Sequence, residues 1–157
     1  SIDFGVLLDG FAGDAAITVP VGEVDPQVTK LIKVTEECLL RGIQQAQPGN
    51  RLGRISNAIQ DWAEKNGFSV VREYVGHGIG RNMHEDPPVP NYGRPERGPV
   101  LEEGITLAIE PMLNMGTHKV ITKIDDWTVV TQDGSYSAHF EHTVAVTSHG
   151  PEILTLR

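Results

Sequence analysis

The sequence predicts an α+β fold, with two helices packed on one face of a mainly antiparallel sheet. Three observations predict it. Residues 1–8 and 12–21 read as strands joined at Asp9-Gly10, a strong hairpin signal. Two amphipathic helical patterns follow, between residues 25 and 66. Strand-like runs then return between residues 105 and 147. A chain of 157 residues is expected to form one domain spanning 1–157, large enough for a real core without disulfide or metal staples.

The first helix starts at Asp25, a good N-cap, with Pro26 in the first helical position. Val28, Leu31, Ile32, Thr35, Cys38, Leu39 and Ile43 recur on one face, and Pro48-Gly49 ends the segment. Cys38 lies on that apolar face and reads as a small buried hydrophobe. The second helix runs from about Leu52 to Asn66, with Leu52, Ile55, Ile59, Trp62 and Ala63 as its stripe and Gly67 as its stop. Phe68 to Val75 looks extended. Residues 76–100 are rich in Gly and Pro and read mostly as loop. Ile105 to Met112, Trp127 to Thr131 and His139 to Thr147 complete the strand candidates.

The formal charge is −8, which argues against a protein that tracks nucleic-acid backbones. The acidity is either ordinary surface charge or is partly spent on cations. One cysteine excludes an internal disulfide framework. Neither a signal-peptide pattern nor a bilayer-length apolar run is evident, so no membrane partner is expected and the cytoplasm is the default.

Strand parity carries the chemistry. A two-residue turn at 9–10 sets Gly5 opposite Asp14, so Asp3 and Asp14 share a face as diagonal neighbours, roughly 7–8 Å apart at the backbone. Asp14 travels with Ala16 and Thr18, opposite Ile17 and Val19. Asp3 travels with Ser1 and Gly5, opposite Ile2, Phe4 and Val6. Glu110 shares a face with Thr106 and Ala108, and Glu141 with Thr143 and Ala145. Each strand therefore has one bulky apolar face for the helices to cover, and one face of small residues with an acid. Isolated, any one of these acids reads as a solvent-facing residue. Four of them among small neighbours, without lysines, read as a converging set. Such a set repels itself unless protonated or bound to cations. Hard oxygen ligands with an imidazole nearby suit Mn, Fe, Co or Zn, and the set is large enough for two ions.

"YVGHGIGRNMHEDPP" supplies His77 and His84, seven apart in a glycine-rich stretch, which is not the spacing of a helical zinc pair. Gly76, Gly78 and Gly80 would let the backbone bend and bring His77 to a site. A phosphate-cradling loop is the rival reading, and it lacks the Lys-Ser/Thr that such loops carry. His118, His139, His142 and His149 receive no role on this reading, nor does "GRPERG".

With these residues in hand, the chain resembles the type I methionine aminopeptidases of pita-bread fold. The matching pieces are "IDFGVLLDGFAGDAA", "YVGHGIGRNMHEDPPVPNY", "LAIEPML" and "FEHTVAV", with "EILTL" near the end. The resemblance implies that Asp3, Asp14, His77, Glu110 and Glu141 ligate two divalent ions, drawn from Co, Mn, Fe or Zn. Asp14 and Glu141 would bridge them, with His77 and Glu110 completing one shell and Asp3 the other. It implies that His84 contacts substrate near the scissile amide and stabilises the developing oxygen charge, and that Glu110 acts as general base. Met83 and Trp127 would line the methionine pocket, with plain packing as the alternative reading. The implied reaction removes the N-terminal methionine of newly made proteins, with a water or hydroxide shared by the metals attacking the first peptide bond. The implied partners are N-terminal Met-peptides, with association at the ribosome and a monomeric full-length enzyme. Only 25 residues separate His84 from Glu110, which favours type I over the type II relatives with their insertion. The family also has a segment upstream of the first aspartate, with another active-site histidine and much of the methionine pocket. The expectation is therefore an incomplete pita-bread fold. The rival readings are a prolidase-type (Xaa-Pro) peptidase on the same ligands, and an inert or binding-only fragment.

Overall fold

The computed structural model describes residues 1–156. Twelve strands and two helices follow in chain order: β1 (Ile2–Leu8), β2 (Phe11–Ile17), α1 (Pro26–Gln44), α2 (Gly53–Lys65), β3 (Ser69–Val70), β4 (Gly76–Gly78), β5 (Glu85–Val89), β6 (Thr106–Ile109), β7 (Met112–Asn114), β8 (Val120–Thr122), β9 (Val129–Thr131), β10 (Ser137–His139), β11 (Glu141–Thr147) and β12 (Gly150–Ile153). The main sheet has the order β1-β2-β11-β6-β4-β5, with β12 also pairing with β11, and its neighbours are antiparallel. A second sheet has the order β10-β7-β3, and β8 and β9 form a separate ribbon.

The hairpin follows from its turn. Asp9 and Gly10 both take positive φ, 51° and 82°, the conformation a two-residue turn of primed type needs. The resulting register pairs Gly5 with Asp14 and Asp3 with Ala16. Asp25 caps α1 by accepting a 2.7 Å hydrogen bond from the Gln27 amide, with Pro26 behind it. Gly67 leaves α2 with φ 85°. Leu31, Cys38 and Leu39 of α1 and Ile55, Ile59 and Ala63 of α2 form a continuous core with Leu107 and Ile109 of β6 and Val144 and Val146 of β11. Full burial of each such large aliphatic side chain contributes about 1.5–3 kcal/mol. On the outer side, Arg41 lies 3.6 Å over the Trp62 ring, whose Nε1 donates to Glu37.

Two expectations are corrected and one is sharpened. Residues 76–100 are mostly irregular, as expected, but they also contain β4 and β5, which belong to the main sheet. The glycines that look like turn residues allow close strand approach instead. Neither Gly76 nor Gly78 takes a positive φ, but a Cβ on Gly76 would strike the Ala108 carbonyl, and one on Gly78 the Asp86 carbonyl. The prolines of β5 are tolerated because β5 is the edge strand. The runs 105–112 and 139–147 are each two strands, not one. β6 and β11 lie in the main sheet, β7 and β10 in the second, and the chain breaks at Glu110-Pro111 and at Phe140. Finally, the helices cover the apolar side of β6 and β11 but not that of the hairpin. Ile2, Phe4 and Val6 stay 54%, 60% and 50% exposed.

Candidate metal centre

Every acid singled out by parity arrives on the same face of the main sheet. Asp3 pairs with Ala16, and Ala16 with Glu141, so one row across three strands carries two carboxylates around an alanine. The next row runs Gly5, Asp14, then Thr143, Ala108 and His77. Thr143 stitches that row together. Its Oγ1 accepts from the Asp14 amide at 2.8 Å and donates to the Asp14 carbonyl at 2.9 Å. Glu110 sits just past β6, at the point where the strand leaves the sheet, and Asn91 donates to its carbonyl at 3.0 Å. The small residues on this face, Gly5, Ala16 and Ala108, leave room for the longer acids to meet.

His77 is buried on β4. Its Nδ1 lies 2.8 Å from the Gly78 carbonyl, which can only accept. Nδ1 therefore carries the proton, and Nε2 presents a lone pair to the face, 3.6 Å from Glu110 Oε1. The His84 ring lies over the His77 ring, centroids 4.2 Å apart. Met83 sits against Gly5 beside Asp14: a Cβ at position 5 would collide with its Sδ and terminal methyl. Trp127 sits between β8 and β9, is 86% exposed, and is not among the residues lining the cavity beside the acids, although Val120 and Val129 of those strands are. A cavity of about 700 Å³ opens beside the acids, walled by Asp3, Tyr74, Glu110, Met112, Val129 and His139.

His139 is the residue that the sequence reading leaves without a role and the structure brings in. Its Nε2 lies 3.5 Å from Glu110 Oε2 and its Nδ1 3.9 Å from Asp3 Oδ2. A signal was present: His139 is two residues from Glu141, and extended chain returns to the same face every second residue. The break at Phe140 leaves that parity intact.

The electrostatics favour a cation. Glu141 is 2% exposed and its Oε1 has no hydrogen-bond partner. Burial first, then Glu110, Asp14 and Asp3, pushes its carboxyl up to about 9. Asp14 is raised as well, by burial and then by the charge of Asp3. A buried, unpartnered carboxylate among other carboxylates is a costly arrangement that a divalent ion relieves. Two groups bring ligand atoms within 4.8 Å of one another: Asp14, His77 and Glu141, and Asp3, His139 and Glu141. The donor set, carboxylates with imidazoles, fits a divalent transition metal.

An antiparallel sheet that gathers carboxylates and imidazoles on one face, with helices on the other, defines a candidate metallohydrolase. The chain belongs to metallopeptidase family M24, whose model matches residues 1–148. It is 58% identical over 156 residues to a methionine aminopeptidase from Clostridium acetobutylicum, covering 99% of this chain and 62% of that one. The crystal structure of methionine aminopeptidase from Thermotoga maritima superposes with a TM-score of 0.97 at 52% identity, covering 99% of this chain and 62% of that one. Prolidase from Pyrococcus furiosus shares the fold, with a TM-score of 0.74 at 23% identity, over 99% of this chain and 40% of that one. The fold is thus the pita-bread fold, and the chain spans about 62% of the length of the methionine aminopeptidases it matches. Among the described residues no helix is long and apolar enough to cross a membrane.

Proposed function

We propose that this chain carries the metal centre of a methionine aminopeptidase. The observation that supports this most is the convergence of Asp3, Asp14, His77, Glu110 and Glu141 on one sheet face, in a chain 58% identical to an enzyme of that name. On this reading Asp3, Asp14, His77, Glu110 and Glu141 would hold two divalent ions of the Co, Mn, Fe and Zn group. When bound, the ions supply Lewis acidity and charge compensation, the means by which such centres activate water and polarise a carbonyl.

The chain's own groups do the rest. Glu110, set between two imidazoles and 15% exposed, is placed to take a proton from the attacking water and hand it to the leaving amine. His84, exposed above His77, can donate to the oxygen that gains charge at the scissile amide. Half-exposed Asp3, at the cavity wall, marks where the free amine of the substrate would arrive. Met83, packed against Gly5 beside Asp14, would form a side of the methionine pocket. The substrates are then N-terminal Met-peptides of new proteins, met at the ribosome in the cytoplasm, and the enzyme with its upstream segment is a monomer.

The test is cleavage of Met-Ala-Ser against Ala-Pro peptides by the cobalt- or manganese-loaded chain. Release of methionine from the first peptide alone is expected. Cleavage of the proline peptide alone would assign the chain to the prolidases instead.

A further inference from the structure

Two ligand groups meet at Glu141, and they are built alike. In one, Glu141 is joined by an aspartate and His77; in the other, by an aspartate and His139. We propose that His139 is a further metal-ligating residue, which gives the ion held by Asp3 an imidazole of its own. The proposal rests on the reading of this face as a two-ion centre.

Its support is geometric. His139 Nε2 is buried and has no hydrogen-bond partner, and neither has Glu141 Oε1, on a residue 98% buried and aimed at the same space. The imidazole stands between the Asp3 and Glu110 carboxylates at 3.9 and 3.5 Å, too far to be spent in hydrogen bonds with them. Its backbone is pinned. The His139 amide donates to Thr18 Oγ1 at 2.9 Å, Thr18 Oγ1 donates to the His139 carbonyl at 2.8 Å, and Met112 pairs with it across β7. The ring is thus held at the face by the sheet, and not by either acid.

The charge balance favours the same assignment. Four carboxylates, Asp3, Asp14, Glu110 and Glu141, already neutralise two dications. A further ligand that is neutral fills a coordination position without adding repulsion among the acids. A nitrogen ligand also shifts preference toward the more imidazole-seeking metals, Co, Fe and Zn, over Mn.

The experiment loads the chain with cobalt and compares it with His139→Gln. Titration by calorimetry gives the affinity of each ion, and proton NMR of the cobalt form counts exchangeable, hyperfine-shifted imidazole N–H signals. The wild-type chain should take up two ions and show two such signals. His139→Gln should keep one signal, hold the first ion within twofold, and bind the second at least tenfold more weakly. A variant that holds both ions with unchanged affinity, or a wild-type chain with two ions and one imidazole signal, overturns the proposal. Equal weakening of both ions would mark a merely structural role and overturn it too. A wild-type chain that takes up fewer than two cobalt ions refutes the two-ion reading itself, and the proposal falls with it.

Discussion

Replacing Glu141 with Gln tests the electrostatic reading of the sheet face directly. In the folded, metal-free chain the Glu141 carboxyl ionises only near pH 9, against an ordinary value of 4.5. Because the folded value is the higher, the stability it contributes is fully present below pH 4.5 and is lost as pH rises toward 9. Between pH 4.5 and 7 that loss amounts to about 3 kcal/mol, at about 1.4 kcal/mol per pH unit. For a chain of this size it corresponds to a fall in Tm of roughly 6–12 °C. Gln is neutral in both states and removes the slope. Its amide protons need partners in the same buried space, which costs about 1–3 kcal/mol at every pH, so the slope and not the offset is the readout. The assay is urea denaturation of both chains at pH 5, 6, 7 and 8 in the presence of a chelator. Wild type should lose stability relative to Glu141→Gln with each step upward. Parallel curves across that range would refute the claim that burial and neighbouring acids hold this carboxyl protonated.

The same linkage predicts that a divalent cation reverses the trend. Ligands must be deprotonated to bind it, so the stabilisation that manganese or cobalt provides should grow from pH 5 to pH 8, read as the rise in Tm over the chelated chain. Gly76→Ala should destabilise the chain by about 1–3 kcal/mol and weaken cobalt uptake, because the added methyl meets the Ala108 carbonyl beside His77; unchanged melting would remove the close-approach argument. Thr143→Val should cost a similar amount, about 1–3 kcal/mol in urea denaturation, since the Asp14 amide loses its acceptor in a buried setting. Cys38, fully buried and with burial pushing its thiol up to about 12, should resist iodoacetamide in the folded chain and react once urea unfolds it.

Local rules carried much of this molecule. The Asp9-Gly10 turn set the hairpin register residue for residue, because both positions need positive φ and few other pairs accept it. Two-residue parity put Asp3, Asp14, Glu110 and Glu141 on one kind of face. Asp25-Pro26 and Gly67 bounded the helices, whose stripes became the core. The "GHG" stretch misled, since glycine permits a turn and a close strand approach equally, and only the neighbouring carbonyls distinguish the two.

The acids' identity and facing were thus decided by the sequence alone, since parity and turn geometry act over a few residues. Their meeting was decided only in three dimensions. Ala16 pairs with Glu141 and His77 with Ala108, so the centre exists because strands distant in the chain lie side by side. The same distant pairings drew β4 and β5 out of a mostly irregular stretch and brought His139 to Asp3 and Glu110. They also left the apolar side of the hairpin open, because α1 and α2 pack where β6 and β11 already form the core. Such pairings are set by the competition among all strands and faces for burial, and no local pattern in the sequence encodes that outcome.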